Sequence, residues 1–241
     1  MNDDSPTPPP SLPRLIVIDG PAGAGKSTVA RRLAEHFGIP LLDTGAIYRT
    51  LALVGERQGI AWSDGPALGQ LTVGFPISFQ TREVGGRLVQ QVLYDGEDVS
   101  VAIRTSMISE GASRVSQHSE VRAGLLEIQR ALAAGGCVAE GRDMGTVVFP
   151  EARDKFFLTA SLEARSQRRH AELAQSAEVE LAEVQREVER RDLRDQSRAE
   201  APLVQAADAV VLDSSHLEIA DVVDRVIAII AGREQPAQGP N

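Results

Sequence analysis

Between residues 15 and 37 the chain changes character twice. Leu15-Ile16-Val17-Ile18-Asp19 is a short apolar run rich in β-branched residues, the pattern of a buried strand. Val29, Leu33 and Phe37 then recur at i, i+4 and i+8, the stripe of a helix that buries one face. The junction is Gly20-Pro21-Ala22-Gly23-Ala24-Gly25-Lys26-Ser27-Thr28, with the spacing G-x-x-x-x-G-K-S. Its glycines let backbone N–H groups turn inward around phosphate oxygens. The helix start adds its positive dipole end. Lys26 is placed to lie along β- and γ-phosphates, and the Ser27 hydroxyl to ligate Mg²⁺. A ligand-free strand–helix turn has no use for the Lys-Ser pair, so the stretch predicts that the chain binds a nucleoside triphosphate.

The rest of the composition suits a single large α/β domain. The chain has 241 residues, 42% of them hydrophobic and 24% charged, enough to build a sizeable core. A net charge of -9 argues against nucleic acid or an anionic membrane as the main partner. Cys137 is the single cysteine, which excludes an internal disulfide and suits a reducing cytoplasm. No apolar run approaches the roughly 18–20 residues needed to span a bilayer. The start, Met1-Asn2-Asp3-Asp4, is acidic and then proline-rich, unlike a signal peptide. Lysine occurs only at Lys26 and Lys155, with arginine carrying the other positive charges. That bias marks Lys26 as a position where arginine does not serve.

Residues 1–13 hold five prolines and read as an extended tail. Beyond the first helix, residues 40–43 form a short strand, and Thr44 is expected to cap a helix running to about Gln58. Arg49, one turn into that helix, suggests an anion partner. A short helix falls within 63–74. The period then drops to two: Phe75, Ile77 and Phe79 alternate, Gly85-Gly86 punctuates, and residues 88–94 run to an Asp95-Gly96 turn. This predicts a β-hairpin or small antiparallel sheet. Helices follow over 105–117 and 120–134, then strands over 137–140, 155–159 and 209–213. Ser161 caps the helix after residue 159, and Ile219, Val222, Val223, Val226 and Ile230 stripe the last helix. Five strands alternating with helices predict a parallel sheet covered on both faces.

Residues 161–198 are rich in arginine. Arg165, Arg168 and Arg169 share a helix face, and Arg191, Arg194, Asp195 and Arg198 are expected to share another. Beside a phosphate loop, such an arm suits the negative charge that spreads over a moving phosphoryl group, and closing it would exclude water.

Together, the loop, Leu42-Asp43-Thr44-Gly45-Ala46-Ile47-Tyr48-Arg49, the Asp95–Val99 segment, Glu140-Gly141-Arg142-Asp143-Met144-Gly145 with its continuation to Pro150, and Arg191-Asp192-Leu193-Arg194-Asp195 resemble bacterial cytidylate kinases. The similarity runs from about Arg14 to Ala231 in family order. It implies transfer of the γ-phosphoryl group of ATP to CMP or dCMP with Mg²⁺. It also implies a P-loop nucleoside-monophosphate-kinase core over 14–71 and 105–231, a β insert over about 72–104, an arginine lid over about 165–200 and a second tail at 232–241.

The resemblance further implies residue roles. Gly20 to Thr28 would bind ATP, with Ser27 on the metal. Thr44 and Arg49 would face the acceptor nucleotide, Ser113, Arg122 and Asp143 would hold cytosine, and Arg142 its phosphate. Arg191, Asp195 and Arg198 would meet the sugar–phosphate part, Asp195 on the ribose hydroxyls, and Lys26, Arg142, Arg191 and Arg198 would carry catalysis. Thr44 and Glu140 stand where relatives also carry Ser and Asp, changes that keep the hydrogen-bonding chemistry. The chemistry agrees with the base contacts, because a carboxylate accepts from the cytosine amino group while Arg122 donates to O2 and N3. Uracil reverses that pattern.

A guanine-nucleotide switch protein shares the loop but reads its base with Asn-Lys-x-Asp, and asparagine occurs here only at Asn2 and Asn241. A P-loop kinase acting on another monophosphate or a shikimate-like alcohol is the closer alternative, and Arg122 with Asp143 discriminates. A cytoplasmic monomer is expected.

Overall fold

The computed structural model describes residues 14–85, 87–174 and 179–234. The expected N-terminal tail therefore lies outside the described residues. β1 (Leu15–Asp19) is the middle strand of a five-stranded parallel sheet ordered β2-β6-β1-β7-β8. Its partners are β2 (Leu41–Asp43), β6 (Cys137–Gly141), β7 (Asp154–Thr159) and β8 (Val210–Asp213). Every residue of β6 is buried, as expected of a strand covered on both faces.

The alternation along β1 assigns the two cores. Ile16 and Ile18 face α1 (Lys26–Phe37) and α8 (Ile219–Glu234), packing with Val29, Leu33, Val222 and Val226. Val17 faces the other way, toward α2 (Thr44–Arg57) and α5 (Ser119–Leu132), packing with Ile47, Leu51, Val121 and Leu125. Around that second face lie α3 (Gly65–Leu71) and α4 (Ser106–Val115).

The change to period two is realised as a separate antiparallel sheet, β3 (Ile77–Val84), β4 (Arg87–Tyr94) and a short β5 (Glu97–Asp98). Asp95 and Gly96 sit at φ 48° and 80°, the pair of positive angles a tight two-residue hairpin turn requires. Ile77, Val92 and Phe75 are buried in the α2-side core, so this sheet is anchored to the main body. Finally α6 (Leu162–Leu173) and α7 (Leu181–Ser197) pair with each other.

Four local details differ from expectation. The helix cap before α2 is Asp43, not Thr44: Asp43 Oδ1 accepts from Ala46 N at 2.9 Å, and Thr44 is already helical. A wide helical turn at 144–148, absent from the pattern, follows β6. α8 continues to Glu234, so residues 232–234, assigned to a tail, are helical, and Arg233 pairs with Asp154 at 3.0 Å. Arg198 lies just past the end of α7 rather than on its helical face. Ser161 caps α6 as expected, accepting from Ala164 N.

Candidate active site

The phosphate loop leaves β1 through Gly20, where φ is 150° and an added Cβ would lie 1.9 Å from the Leu158 carbonyl oxygen. Only glycine permits that approach. Gly25, at φ 93°, opens α1 with no side-chain cap, leaving its first-turn N–H groups for a ligand. Ala22, Gly23, Gly25, Lys26, Ser27 and Thr28 line a cleft of about 470 Å³. Gly20, Pro21 and Ala24 do not line it: Ala24 is buried in the α1-side core, and Pro21 O accepts from Lys26 Nζ at 2.7 Å.

Around this cleft positive charge is crowded: Lys26 is buried and the arginines beside it are half-buried. Arg49 comes from α2, Arg142 from the end of β6, and Arg191 from α7. Arg49 Nη2 donates to Asp43 Oδ2 at 2.6 Å, while its Nε and that of Arg191 are buried with no hydrogen-bond partner among the described residues. Burial, and then the Arg142 charge, push the Lys26 ammonium down to about 7. The same two causes lower Arg191 to about 10. Cations held at such cost fit a site built for a polyanion.

Glu140, at the end of β6, hydrogen-bonds Ser27, and one of its carboxylate oxygens is buried with no hydrogen-bond partner among the described residues. Burial, reinforced by Asp43, raises it to about 7. Its backbone carbonyl accepts from Thr44 Oγ1 at 2.6 Å, fixing the start of α2 against β6.

A second, smaller pocket adjoins the cleft and shares Gly45, Gly141, Arg142 and Arg191 with it. Asp143 lies on its wall, paired with Arg122 of α5, and Arg198 Nη2 stands 3.8 Å from the other carboxylate oxygen. Tyr48 backs Arg122, whose guanidinium is 5.7 Å from the ring centroid. Among the described residues the buried Ser113 hydroxyl and Arg198 Nη2 have no hydrogen-bond partner. Arg142 Nε donates to Asp195 Oδ2 at 2.8 Å, tying the turn after β6 to α7. The pocket thus gathers Thr44, Ser113, Arg122, Arg142, Asp143, Arg191, Asp195 and Arg198, drawn from five separate stretches of the sequence.

The arginine stretch divides more finely than its spacing suggests. Arg194 turns to α4, forming a two-point ion pair with Glu110 at 2.6 and 2.7 Å, and lines neither pocket. Arg165 is buried behind the loop, where it donates to Ala22 O, Ala160 O and Asp192. Arg168 holds the Ser214 carbonyl and hydroxyl at 2.5 and 3.0 Å. Arg168 and Arg169 line the cleft. The sequence pattern missed Asp192, which also accepts from Ala22 N, and Asp19, which accepts from Met144 N and Gly145 N. Asp192 lies 27 residues from Arg165 on another helix, beyond any local spacing rule.

A phosphate loop on the middle strand, opening onto a cationic cleft that continues into a side pocket, defines a phosphotransferase of the P-loop kinase class. Comparison with known proteins narrows it. The family model described as cytidylate kinase matches residues 16–232. The cytidylate kinase of Syntrophotalea carbinolica is 46% identical over 223 residues, covering 92% of this chain and 93% of its own. That of Geobacter sulfurreducens is 46% identical over 227 residues, covering 93% and 96%. This chain belongs to the cytidylate kinase family, and is a nucleoside monophosphate kinase. An uncharacterized protein from Eubacterium ventriosum shares the fold at 12% identity and a TM-score of 0.50, over 91% of this chain and 99% of that one.

Proposed function

We propose that the protein transfers the γ-phosphoryl group of ATP to CMP and dCMP, with the triphosphate in the large cleft and the cytosine in the side pocket. The observation that carries this reading is the continuity of the two pockets. Arg142 and Arg191 border both, so the two phosphate chains would meet between them.

Catalysis here is positioning and charge neutralisation, because an acceptor phosphate oxygen attacks directly and no covalent enzyme intermediate forms. Lys26 neutralises charge developing on the donor. Arg49, Arg142 and Arg191 hold the acceptor phosphate and the equatorial oxygens of the moving group. Asp143 accepts from the cytosine amino group while Arg122 donates to O2 and N3. Ser113, with no protein partner for its hydroxyl, supplies a further hydrogen bond to the nucleotide. Asp195 takes the ribose hydroxyls and Arg198 backs Asp143.

Mg²⁺ fits this site. Ser27 offers a hydroxyl, and Glu140 beside it has a carboxylate oxygen that no protein donor uses. Among the described residues no group of three or more His, Cys, Asp or Glu side chains could hold a metal ion. When bound by Ser27 and Glu140, the ion would supply positive charge that neutralises the triphosphate.

No helix among the described residues is long and apolar enough to cross a membrane. We place the enzyme in the cytoplasm as a monomer acting on small molecules. The test is ADP release from ATP and Mg²⁺ against CMP, dCMP, UMP, AMP, GMP and shikimate. CMP and dCMP should exceed UMP in kcat/KM by well over about tenfold, the discrimination expected of paired base contacts. Equal turnover of UMP or AMP overturns the reading.

A further inference from the structure

We propose that Asp19 is a positioning residue for acceptor recognition: its buried carboxylate fixes the turn that carries Arg142 and Asp143, and so couples the donor loop to the reading of the acceptor base. The proposal rests on the cytidylate-kinase reading of the two pockets.

Asp19 is the last residue of β1, immediately before the phosphate loop, and is only 4% exposed. It lines neither pocket. Its side chain reaches across to the wide helical turn after β6, where Oδ1 accepts from Met144 N at 2.8 Å and Oδ2 from Gly145 N at 2.7 Å. These are the leading N–H groups of that turn. Its own bonds begin only later, with Val147 N and Val148 N donating to Asp143 O. A helical turn with unpaired leading N–H groups inside a protein is costly, and a carboxylate is the acceptor best matched to two of them at once.

The residue that starts the turn is Asp143. It has an unusual backbone conformation, φ -144° and ψ 22°, and its side chain does not cap the turn. Because Asp19 supplies the acceptor from outside, the Asp143 carboxylate stays free to face Arg122 and the pocket. A self-capping Asp143 would point its oxygens back at its own turn. Crowding fixes the arrangement: a Cβ added at Gly145 would lie 3.4 Å from Asp19 Oδ2 and 3.3 Å from Lys155 Cδ, leaving the turn little room to shift toward β1.

The experiment compares Asp19→Asn with the unaltered full-length protein. The unaltered enzyme is measured first, since failure to prefer CMP over UMP there sinks the functional reading and not this coupling. The amide can accept from one N–H but opposes the other with its own donors, so the turn loses its clamp without losing volume. KM for CMP should rise about tenfold and the CMP/UMP ratio of kcat/KM fall severalfold, while KM for ATP stays within about twofold, the signature of a displaced acceptor site. A merely structural Asp19 would, whatever the fall in melting temperature, reduce CMP and UMP turnover by the same factor. That result, or a rise confined to KM for ATP, overturns the proposal. Should the Asn variant fail to fold, Asp19→Glu carries the same test. It keeps the charge and displaces the oxygens by one methylene, and an unchanged CMP/UMP ratio there overturns the proposal as well.

Discussion

Arg142 and Asp195, 53 residues apart in the chain, meet through a 2.8 Å hydrogen bond between the end of β6 and α7. Burial acts to raise the Asp195 pKa, but the guanidinium charges of Arg142 and Arg191 outweigh it and hold the group below the usual carboxylate range. A single buried acid thus serves as counter-charge for two arginines that would otherwise repel. The compensation is incomplete, since Arg191 is still depressed to about 10 and Lys26 to about 7. The residual positive charge is what a phosphate chain would neutralise.

Lys26→Ala should separate catalysis from stability. Lys26 is buried beside Arg142, and its charge is held against an electrostatic cost. Losing it should leave the melting temperature unchanged or higher, while kcat falls by about 10²–10³, the usual effect of deleting one transition-state donor. Near-native turnover in the folded variant would rule out the role.

Two arginines three residues apart on α7 should behave in opposite ways. Arg191→Ala removes a half-buried cation that borders both pockets and should lower kcat by about 10²-fold. Arg194→Ala breaks a half-exposed pair with Glu110, should cost less than about 1 kcal/mol, and should leave kcat within about threefold. Equal kinetic losses in urea-stable variants would mean that the two share one role.

The sequence made some of this legible and hid the rest. The phosphate loop could be read because strand, glycines and helix stripe lie within 23 consecutive residues and each has a local rule. The antiparallel sheet could be read from the change of period, and its turn from Asp95-Gly96. In sequence Thr44 reads as the cap of α2 because Asp43 ends an apparent strand, yet both residues are used, Asp43 on the helix and Thr44 on the Glu140 carbonyl. Helical spacing grouped Arg194 with Arg191, but spacing cannot see Glu110, which lies 84 residues away. The scarcity of lysine singles out Lys26 and Lys155 alike, but Lys155, equally buried, pairs with Asp208 and lines neither pocket. The turn at 144–148 was invisible because its acceptor, Asp19, is supplied from 125 residues away.

The pH dependence of stability should carry the signature of Asp19. Burial raises its pKa from 3.8 to about 6 against the opposing bonds from Gly145 and Met144. A folded-state pKa above the unfolded one means that the folded protein takes up a proton as pH falls through 6, where the unfolded chain does not. The ionised group therefore costs stability above pH 6, and this cost is relieved progressively down to about pH 4. At about 1.4 kcal/mol per unit, the swing is on the order of 3 kcal/mol. Asp19→Asn cannot titrate, so the stability lost on substitution should be larger at pH 4.5 than at pH 7.5 in urea unfolding. A difference independent of pH would show that Asp19 ionises normally in the fold.

Asp143→Ala tests base recognition directly. Asp143 is buried between Arg122 and Arg198, so its loss strands two guanidinium groups and should lower stability whatever its role. Stability alone therefore decides nothing. If the carboxylate also accepts from the cytosine amino group, kcat/KM for CMP should fall by about 1–3 kcal/mol, the range of one discriminating base contact. UMP presents O4 at that position and is repelled by the carboxylate, so it should lose much less, or gain. A bracing role predicts the opposite pattern: with Arg122 loosened, both nucleotides weaken by the same factor. The CMP/UMP ratio, measured at a temperature well below the variant's melting point, separates the two. An unchanged ratio sinks the base-reading role of Asp143, and a collapsed one assigns the specificity of the pocket to this single carboxylate and the arginine it orients.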